Sequence, residues 1–296
     1  MNSLFIKPGD TIGVMAPSSF VEKDDIEKSK ALLEARGYTV VVHPQTFARH
    51  NQSAGTQDEK LAALHALYAD KTVKAIWAAG GGNRALYLLD GLDAKLIGKN
   101  PKPLIGFSDT TALLNAVAAR SGQAGWHAQV FKNLHKGSYL EQTMPVIEGK
   151  NTALNLKDAK VLIPGKAAGK LVGGCLSLFH ALPGTKDCPK LKGAILFLED
   201  TGDEISRLDR MFAQMKRLGV FKEIGALVLG QFLDVHDSGR PFGFTLEDIV
   251  TEALAGRHIP VITGAAFGHG AALFPLPVGT TAALDTGAGS LRLGGA

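Results

Sequence analysis

A serine, a glutamate and a histidine, each beside the end of an apolar run, have the residue types that acyl transfer requires. Ser108 follows the apolar segment KPLIGF and precedes a helical pattern, so it stands where a strand turns into a helix. Glu199 follows the run ILFL, and His269 lies between two glycines after a further apolar run. Serine is a weak nucleophile that needs a neighbouring base, and a carboxylate can hold that base in the required tautomer. These segments therefore predict a hydrolase with Ser108 as nucleophile, His269 or His127 as base, and a carboxylate at the end of the ILFL run, Glu199 or Asp200, as orienting acid.

Each of these residues also has a purely structural interpretation. Serine and aspartate are preferred helix N-caps, so Ser108 or Asp109 could simply begin the helix, and we expect Asp109 to cap it. A histidine between glycines could be a loop residue that bonds to the backbone, and His127 is the rival candidate for the base. Glu204 is the second choice for the orienting acid.

The segment AAGGGNR supplies candidate donors for a negatively charged oxygen. We expect the N–H groups of Gly81 and Asp109 to form an oxyanion hole. The glycines could instead cradle a phosphate, but the segment lacks the Lys-Ser/Thr pair of a P-loop and the spacing of a dinucleotide fingerprint. Arg207, on the helix after Glu199, is predicted to bind the terminal carboxylate of a substrate, because a guanidinium fork suits that group. The alternative is an ordinary exposed helix face on which the arginine forms ion pairs with Asp203 or Asp209.

Short apolar runs that alternate with amphipathic helical stretches must position these side chains. Continuous apolar strands between helices predict an α/β fold with a parallel sheet covered on both faces. Ligands bind such sheets outside the carboxyl ends of the strands, where the candidate residues fall. A change of composition between residues 140 and 170 predicts two domains. Residues 1–160 would carry the nucleophile, and residues 168–296 would carry the acid and the histidine.

Composition excludes several classes of function. The chain has 296 residues, of which 45% are apolar and 20% charged, with a net charge of +4. Its lysines and arginines are scattered and form no basic stripe, so nucleic-acid binding is not expected. No signal-peptide pattern and no apolar run near the ~20 residues of a membrane span occur, so we expect a soluble cytoplasmic protein. Two cysteines and nine histidines show no metal-binding spacing, so neither a metal nor a cofactor is expected.

Several collinear segments resemble the serine-type LD-carboxypeptidase family, which includes bacterial muramoyltetrapeptide carboxypeptidases and microcin C immunity peptidases. These segments are AAGGGNRAL, LIGFSDTTALLNAV, GGCLSLFHALPGT, LFLEDTGDEISRLDRMFAQM and FGHGAALFPLPVG. The resemblance covers nearly the whole chain. It places the catalytic serine, glutamate and histidine of the family on Ser108, Glu199 and His269.

The resemblance implies a fold and an activity. The fold is a flavodoxin-like N-terminal domain plus a smaller swivelling β/α C-terminal domain, with the site between them and a homodimer as the assembly. The activity is metal-free removal of the terminal D-Ala from murein tetrapeptides during cell-wall recycling. One alternative is a microcin C immunity-type peptidase that cleaves aminoacyl or peptidyl nucleotides. Another is a non-catalytic module that binds small peptides, which labelling by a serine-reactive fluorophosphonate would disfavour.

Overall fold

The computed structural model describes residues 4–294 and divides them into two compact units. The first unit comprises the residues up to Asn151 together with Leu273–Gly279. The second unit comprises Thr152–Ala272 and the residues from Thr280 onward. Each unit has its own sheet, and the chain returns to the first unit for one short segment near its end.

The first unit is built on a six-stranded sheet. Its strands are β1 (Thr11–Met15), β2 (Thr39–Val42), β3 (Val73–Ala78), β4 (Leu104–Gly106), β5 (Gly125–His127) and, from the returning segment, β12 (Leu276–Val278). The strand order is β12-β5-β4-β3-β1-β2. Strands β1 to β5 pair in parallel, and β12 pairs antiparallel with β5. The order 2-1-3-4-5 is that of flavodoxin-like sheets, so the predicted fold is confirmed.

Five helices accompany this sheet. They are α1 (Lys23–Ala35), α2 (Gln57–Ala69), α3 (Ala94–Lys99), α4 (Thr111–Ser121) and α5 (Tyr139–Ile147). Helix α2 begins with a capping box, in which Thr56 and Glu59 each accept a hydrogen bond from the other's backbone N–H. It packs closely on β1, since a methyl group added to Gly13 would lie 2.8 Å from Leu67 Cδ2. The apolar face of the helix and the small strand residue thus fix the position of α2.

The second unit has an eight-stranded mixed sheet in the order β6-β14-β13-β8-β9-β10-β11-β7. Its strands are β6 (Ala153–Asn155), β7 (Lys160–Ile163), β8 (Lys166–Cys175), β9 (Ile195–Thr201), β10 (Ala226–Leu233), β11 (Val261–Thr263), β13 (Thr281–Asp285) and β14 (Ser290–Leu293). The four central strands β8 to β11 are parallel, and the outer strands pair antiparallel. The helices are α6 (Leu176–Phe179), α7 (Ile205–Arg217), α8 (Val220–Glu223) and α9 (Leu246–Leu254). This mixed β/α arrangement agrees with the β/α fold that the resemblance implies for the C-terminal part of the chain.

Helix α7 shows how the sequence pattern sets the packing next to the candidate acid. Apolar residues three or four apart predict a helix from about Glu204 to Leu218, and the observed helix differs by one residue at each end. Its buried side chains form a single stripe, made of Leu208, Met211, Phe212 and Met215. The stripe faces inward, so the polar side of α7 stays exposed beyond the end of β9.

Candidate active site

Ser108 lies on a tight turn between β4 and α4 in the first unit. Its φ is +59°, a left-handed conformation that non-glycine residues rarely adopt and that is common at functional sites. The turn passes close to β3, because a methyl group added to Gly106 would lie 2.8 Å from Ala78 Cβ. Ser108 is partly exposed, whereas Phe107 and Asp109 on either side are buried. A strained strand-to-helix turn that exposes one hydroxyl is the geometry of a nucleophile elbow.

Gly81 lies directly against the Ser108 side chain. A methyl group added to Gly81 would lie 3.0 Å from Ser108 Cβ and 3.2 Å from Ser108 Oγ. The Gly81 carbonyl accepts a hydrogen bond from the Ser19 N–H at 3.3 Å, which ties the glycine loop to the residues after β1. The absence of a side chain therefore lets backbone approach the hydroxyl, as a donor to an oxyanion must.

The prediction that Asp109 caps its own helix is wrong. The Asp109 carboxylate instead accepts a hydrogen bond from the backbone N–H of Ala85, with Oδ2 2.8 Å from the nitrogen. Asp109 is only 2% exposed, and this burial raises the pKa of its carboxyl, although hydrogen bonds from neighbouring groups oppose the rise. Ala85 follows Arg84, whose φ of +82° marks the end of the glycine loop. The carboxylate thus joins the turn that carries Ser108 to the loop that carries Gly81.

We expect Asp109→Ala to lower kcat for peptide hydrolysis by about 10²-fold, the loss typical of a small misplacement of reacting groups, with little change in KM. Asp109→Asn keeps an oxygen that can accept the hydrogen bond from the Ala85 N–H, so this variant should retain most of the rate of the unmodified protein. Asp93→Ala is the matched control, because Asp93 also accepts a backbone N–H, from Leu96 at 2.9 Å, but at an exposed helix start. Steady-state kinetics of the three variants check this, and an equal loss in Asp109→Asn and Asp109→Ala would contradict it.

His269 and Glu199 form a hydrogen-bonded pair in the second unit. His269 Nδ1 lies 2.7 Å from Glu199 Oε2, and the Glu199 side chain on β9 is completely buried. A bond to a carboxylate places the imidazole proton on Nδ1, so the neutral ring carries its lone pair on Nε2, and that nitrogen is able to accept a proton. The His269 side chain is 19% exposed, so the ring reaches the surface of the unit while its partner does not.

The surroundings of the pair favour a protonated imidazole. Burial raises the pKa of the Glu199 carboxyl, although the bond to His269 opposes this rise. Burial alone would lower the pKa of His269, but the hydrogen bond to Glu199 and the charges of Glu199 and Asp200 outweigh it, so the pKa of His269 is raised. A buried carboxylate in this position stabilises the charged form of the neighbouring imidazole.

Glycines on both sides of His269 allow its loop to pack against β9 and β10. Gly268 has a φ of +123°, and a methyl group there would lie 3.0 Å from Glu199 Oε2. A methyl group on Gly270 would collide with the Gln231 side chain. Side chains at either position would push the loop away from the sheet, so both glycines are required for the 2.7 Å bond between His269 and Glu199.

The rival residues occupy different settings. His127 is completely buried on β5, with its ring packed edge-on against Phe107 at 5.8 Å between centroids. Glu204 stands at the start of α7, where it accepts a short hydrogen bond from the Ser206 hydroxyl. The geometry therefore favours His269 over His127 as the base and Glu199 over Glu204 as its orienting partner.

Arg207 pairs with Asp203 across one turn of α7, with 3.1 Å between Nη1 and Oδ1, and its side chain is 57% exposed. It also lines a cleft of about 260 Å³ with Arg210, His180 and Ser177. The ion pair is the structural alternative stated for this arginine. Its predicted role in substrate binding stays a prediction.

The structure groups the predicted residues by unit and adds one that sequence reasoning missed. Ser108, Gly81 and Asp109 lie together in the first unit, whereas the other predicted residues, Glu199, His269 and Arg207, lie in the second. The missed residue is Lys60 on α2, which is only 2% exposed. The sequence contained a signal for this residue. Lys60 lies four residues before Leu64 and seven before Leu67, so helical spacing places its charge on the buried face of α2 with these two leucines.

Among residues 4–294, no grouping of three or more His, Cys, Asp or Glu side chains could hold a metal ion. Within the same range, no helix has both the length and the apolar character needed to cross a membrane.

Both parts of the chain match a known family. The LD-carboxypeptidase N-terminal domain matches residues 12–128, and the LD-carboxypeptidase C-terminal domain matches residues 168–284. A probable murein peptide carboxypeptidase of Bacillus subtilis is 31% identical over 290 residues, which cover 95% of this chain and 90% of the relative. The microcin C7 self-immunity protein MccF of Escherichia coli is 27% identical, over 94% of this chain and 91% of that protein.

A solved structure gives the same result for the fold. The muramoyltetrapeptide carboxypeptidase from Oxalobacter formigenes superposes with a TM-score of 0.83 at 28% identity, covering 96% of this chain and 97% of that one. Sequence and fold thus lead to one family, and the resemblance stated from the sequence is confirmed.

Proposed function

Since this chain belongs to the LD-carboxypeptidase family, we propose that it hydrolyses the amide bond that joins the terminal D-alanine to a murein tetrapeptide. The chain is a serine-type carboxypeptidase by family. The observation that carries the proposed mechanism is the 2.7 Å bond between His269 and the buried Glu199, because it fixes the tautomer that a general base needs. The names of the relatives support the choice of a murein peptide.

The proposed reaction has two halves. Ser108 Oγ attacks the scissile carbonyl carbon while His269 removes the hydroxyl proton, and the N–H groups of Gly81 and Asp109 stabilise the tetrahedral oxyanion. The intermediate collapses, the amine of D-alanine takes the proton from His269, and an ester to Ser108 remains. A water molecule, deprotonated by His269, then attacks the ester carbonyl, and His269 returns the proton to Ser108 Oγ as the shortened peptide leaves with a new carboxylate. Throughout, Glu199 holds the imidazole and balances its charge.

Other parts of the proposal concern the setting of the reaction. Arg207 would bind the terminal carboxylate of the peptide after exchanging its ion pair with Asp203. The family resemblance supports a cytoplasmic role in cell-wall recycling and a homodimeric assembly.

The substrate class is tested with the unmodified protein. We expect release of free D-alanine from a tetrapeptide that ends in L-lysyl- or diaminopimelyl-D-alanine, and no release of L-alanine from the matched peptide with an L-terminus. An aminoacyl sulfamoyl adenosine is the second substrate, because one relative is a microcin C7 self-immunity protein. If the protein cleaves the adenosine compound but leaves the tetrapeptide intact, the proposed murein activity is wrong and the protein acts as an immunity-type peptidase.

A further inference from the structure

A small cationic pocket lies in the first unit beside the glycine loop. It has a volume of about 120 Å³, several times the ~30 Å³ that one water molecule occupies in the liquid. Its lining includes Lys60 and Arg84 together with His50, Ser53, Thr56 and Tyr87. Two cations therefore line one small space.

The donors of these cations are largely unused. The Lys60 ammonium has three N–H donors and is 2% exposed, yet Ser53 Oγ, at 2.9 Å, is its one hydrogen-bond acceptor among the residues that the structure describes. Arg84 is exposed, and its guanidinium carbon lies 4.4 Å from the centroid of the Tyr87 ring. In the described part of the chain, no carboxylate lies within ion-pair distance of either cation.

Two carboxylates next to residues of the pocket, those of Asp109 and Glu59, have other hydrogen-bond partners. Asp109 Oδ2 accepts from the Ala85 N–H at 2.8 Å, and Glu59 Oε2 accepts from the Thr56 N–H at 2.7 Å. Burial lowers the pKa of Lys60, the charge of Asp109 opposes this, and the positive charge of Arg84 adds to it. A negatively charged group in the pocket would relieve the repulsion between the two cations.

We propose that this pocket binds a carboxylate group through the Lys60 ammonium and the Arg84 guanidinium. A carboxylate accepts up to four hydrogen bonds, so it matches the spare donors of a buried lysine and an adjacent arginine fork. Arg84 immediately precedes Ala85, which the Asp109 carboxylate binds, so the pocket adjoins the turn that carries Ser108. The carboxylate comes either from the peptide substrate or from a free small acid, and the first source rests on the proposed function.

Binding is tested without any catalysis, by the thermal midpoint Tm in sodium acetate at constant ionic strength. Acetamide is the uncharged isostere. We expect acetate, but not acetamide, to raise the Tm of the unmodified protein in a saturable manner, because a ligand that binds only the folded state stabilises it. Lys60→Met and Arg84→Gln should each weaken acetate binding by roughly tenfold or more, as expected for the loss of hydrogen bonds to a charged group. Lys95→Met removes an exposed lysine and is the matched control, which should bind acetate normally.

Two variants keep the test decisive. Lys60→Met replaces a buried ammonium by an apolar side chain of similar length, and Arg84→Gln changes an exposed residue, so a folding defect in one leaves the other informative. An acetate effect that is absent from the unmodified protein, or that is equal in the unmodified protein and every folded pocket variant, would overturn the proposal.

Kinetics then identify the source of the carboxylate. If the substrate supplies it, from a carboxylate other than the terminal one assigned to Arg207, acetate should compete with the peptide, and both variants should raise KM for the peptide by roughly tenfold. If a free acid fills the pocket, acetate should bind without competing and KM should stay unchanged. If the protein binds acetate but cleaves no tetrapeptide, the proposed carboxylate-binding pocket is supported and only the proposed function is refuted.

Discussion

Replacing His269 with alanine is expected to lower kcat for release of D-alanine on the order of 10⁶-fold, a loss comparable with removal of the base from other serine hydrolases. The reason is that no other group in the proposed mechanism removes the proton of Ser108 or returns it to the leaving amine. His258→Ala is the matched control, because His258 is an exposed histidine of the same unit. A quantitative assay of D-alanine release measures both variants, and near-normal turnover by His269→Ala would remove this residue from the mechanism.

Glu199→Gln is expected to lower kcat by about 10⁴-fold, because an amide in place of the carboxylate no longer fixes the imidazole tautomer. Glu204→Gln is the matched control, since this glutamate bonds to Ser206 at the start of α7. We expect full activity in the control. If Glu199→Gln kept the normal kcat while Glu204→Gln lost activity, the orienting role would belong to Glu204.

The same variant should change the pH dependence of the reaction. A base must be neutral, so kcat/KM falls as the pH drops through the pKa of His269. Glu199 raises that pKa through its hydrogen bond and its charge, against the opposing effect of burial. Without the negative charge the pKa of His269 falls, so the acidic limb of the profile should move to lower pH in Glu199→Gln. A limb that stays in place would mean that Glu199 does not act on His269.

Much of the architecture follows from local sequence patterns. Helix α7 is predicted to within one residue at each end, because its apolar residues repeat at helical spacing and its stripe is buried. The parallel sheet of the first unit follows from continuous apolar runs such as β3, where a single exposed lysine, Lys74, interrupts the buried residues. The glycines around His269 correctly indicate a close approach of the backbone.

Contacts between distant segments could not be predicted in this way. The apolar run from Ile259 to Gly279 divides into β11 in one sheet and β12 in the other, and no local pattern states which sheet a short strand joins. Asp109 has the residue type and position of a helix cap, but its acceptor oxygen binds Ala85, 24 residues earlier. The choice between two such hydrogen bonds depends on how loops pack, which propensity does not encode.

The nucleophilic role of Ser108 is tested by measuring release of D-alanine from a murein tetrapeptide by Ser108→Ala. We expect a rate lower on the order of 10⁶-fold than that of the unmodified protein, with the fold preserved, because alanine has no oxygen to form the ester. Release of D-alanine by Ser108→Ala at the rate of the unmodified protein would contradict this role.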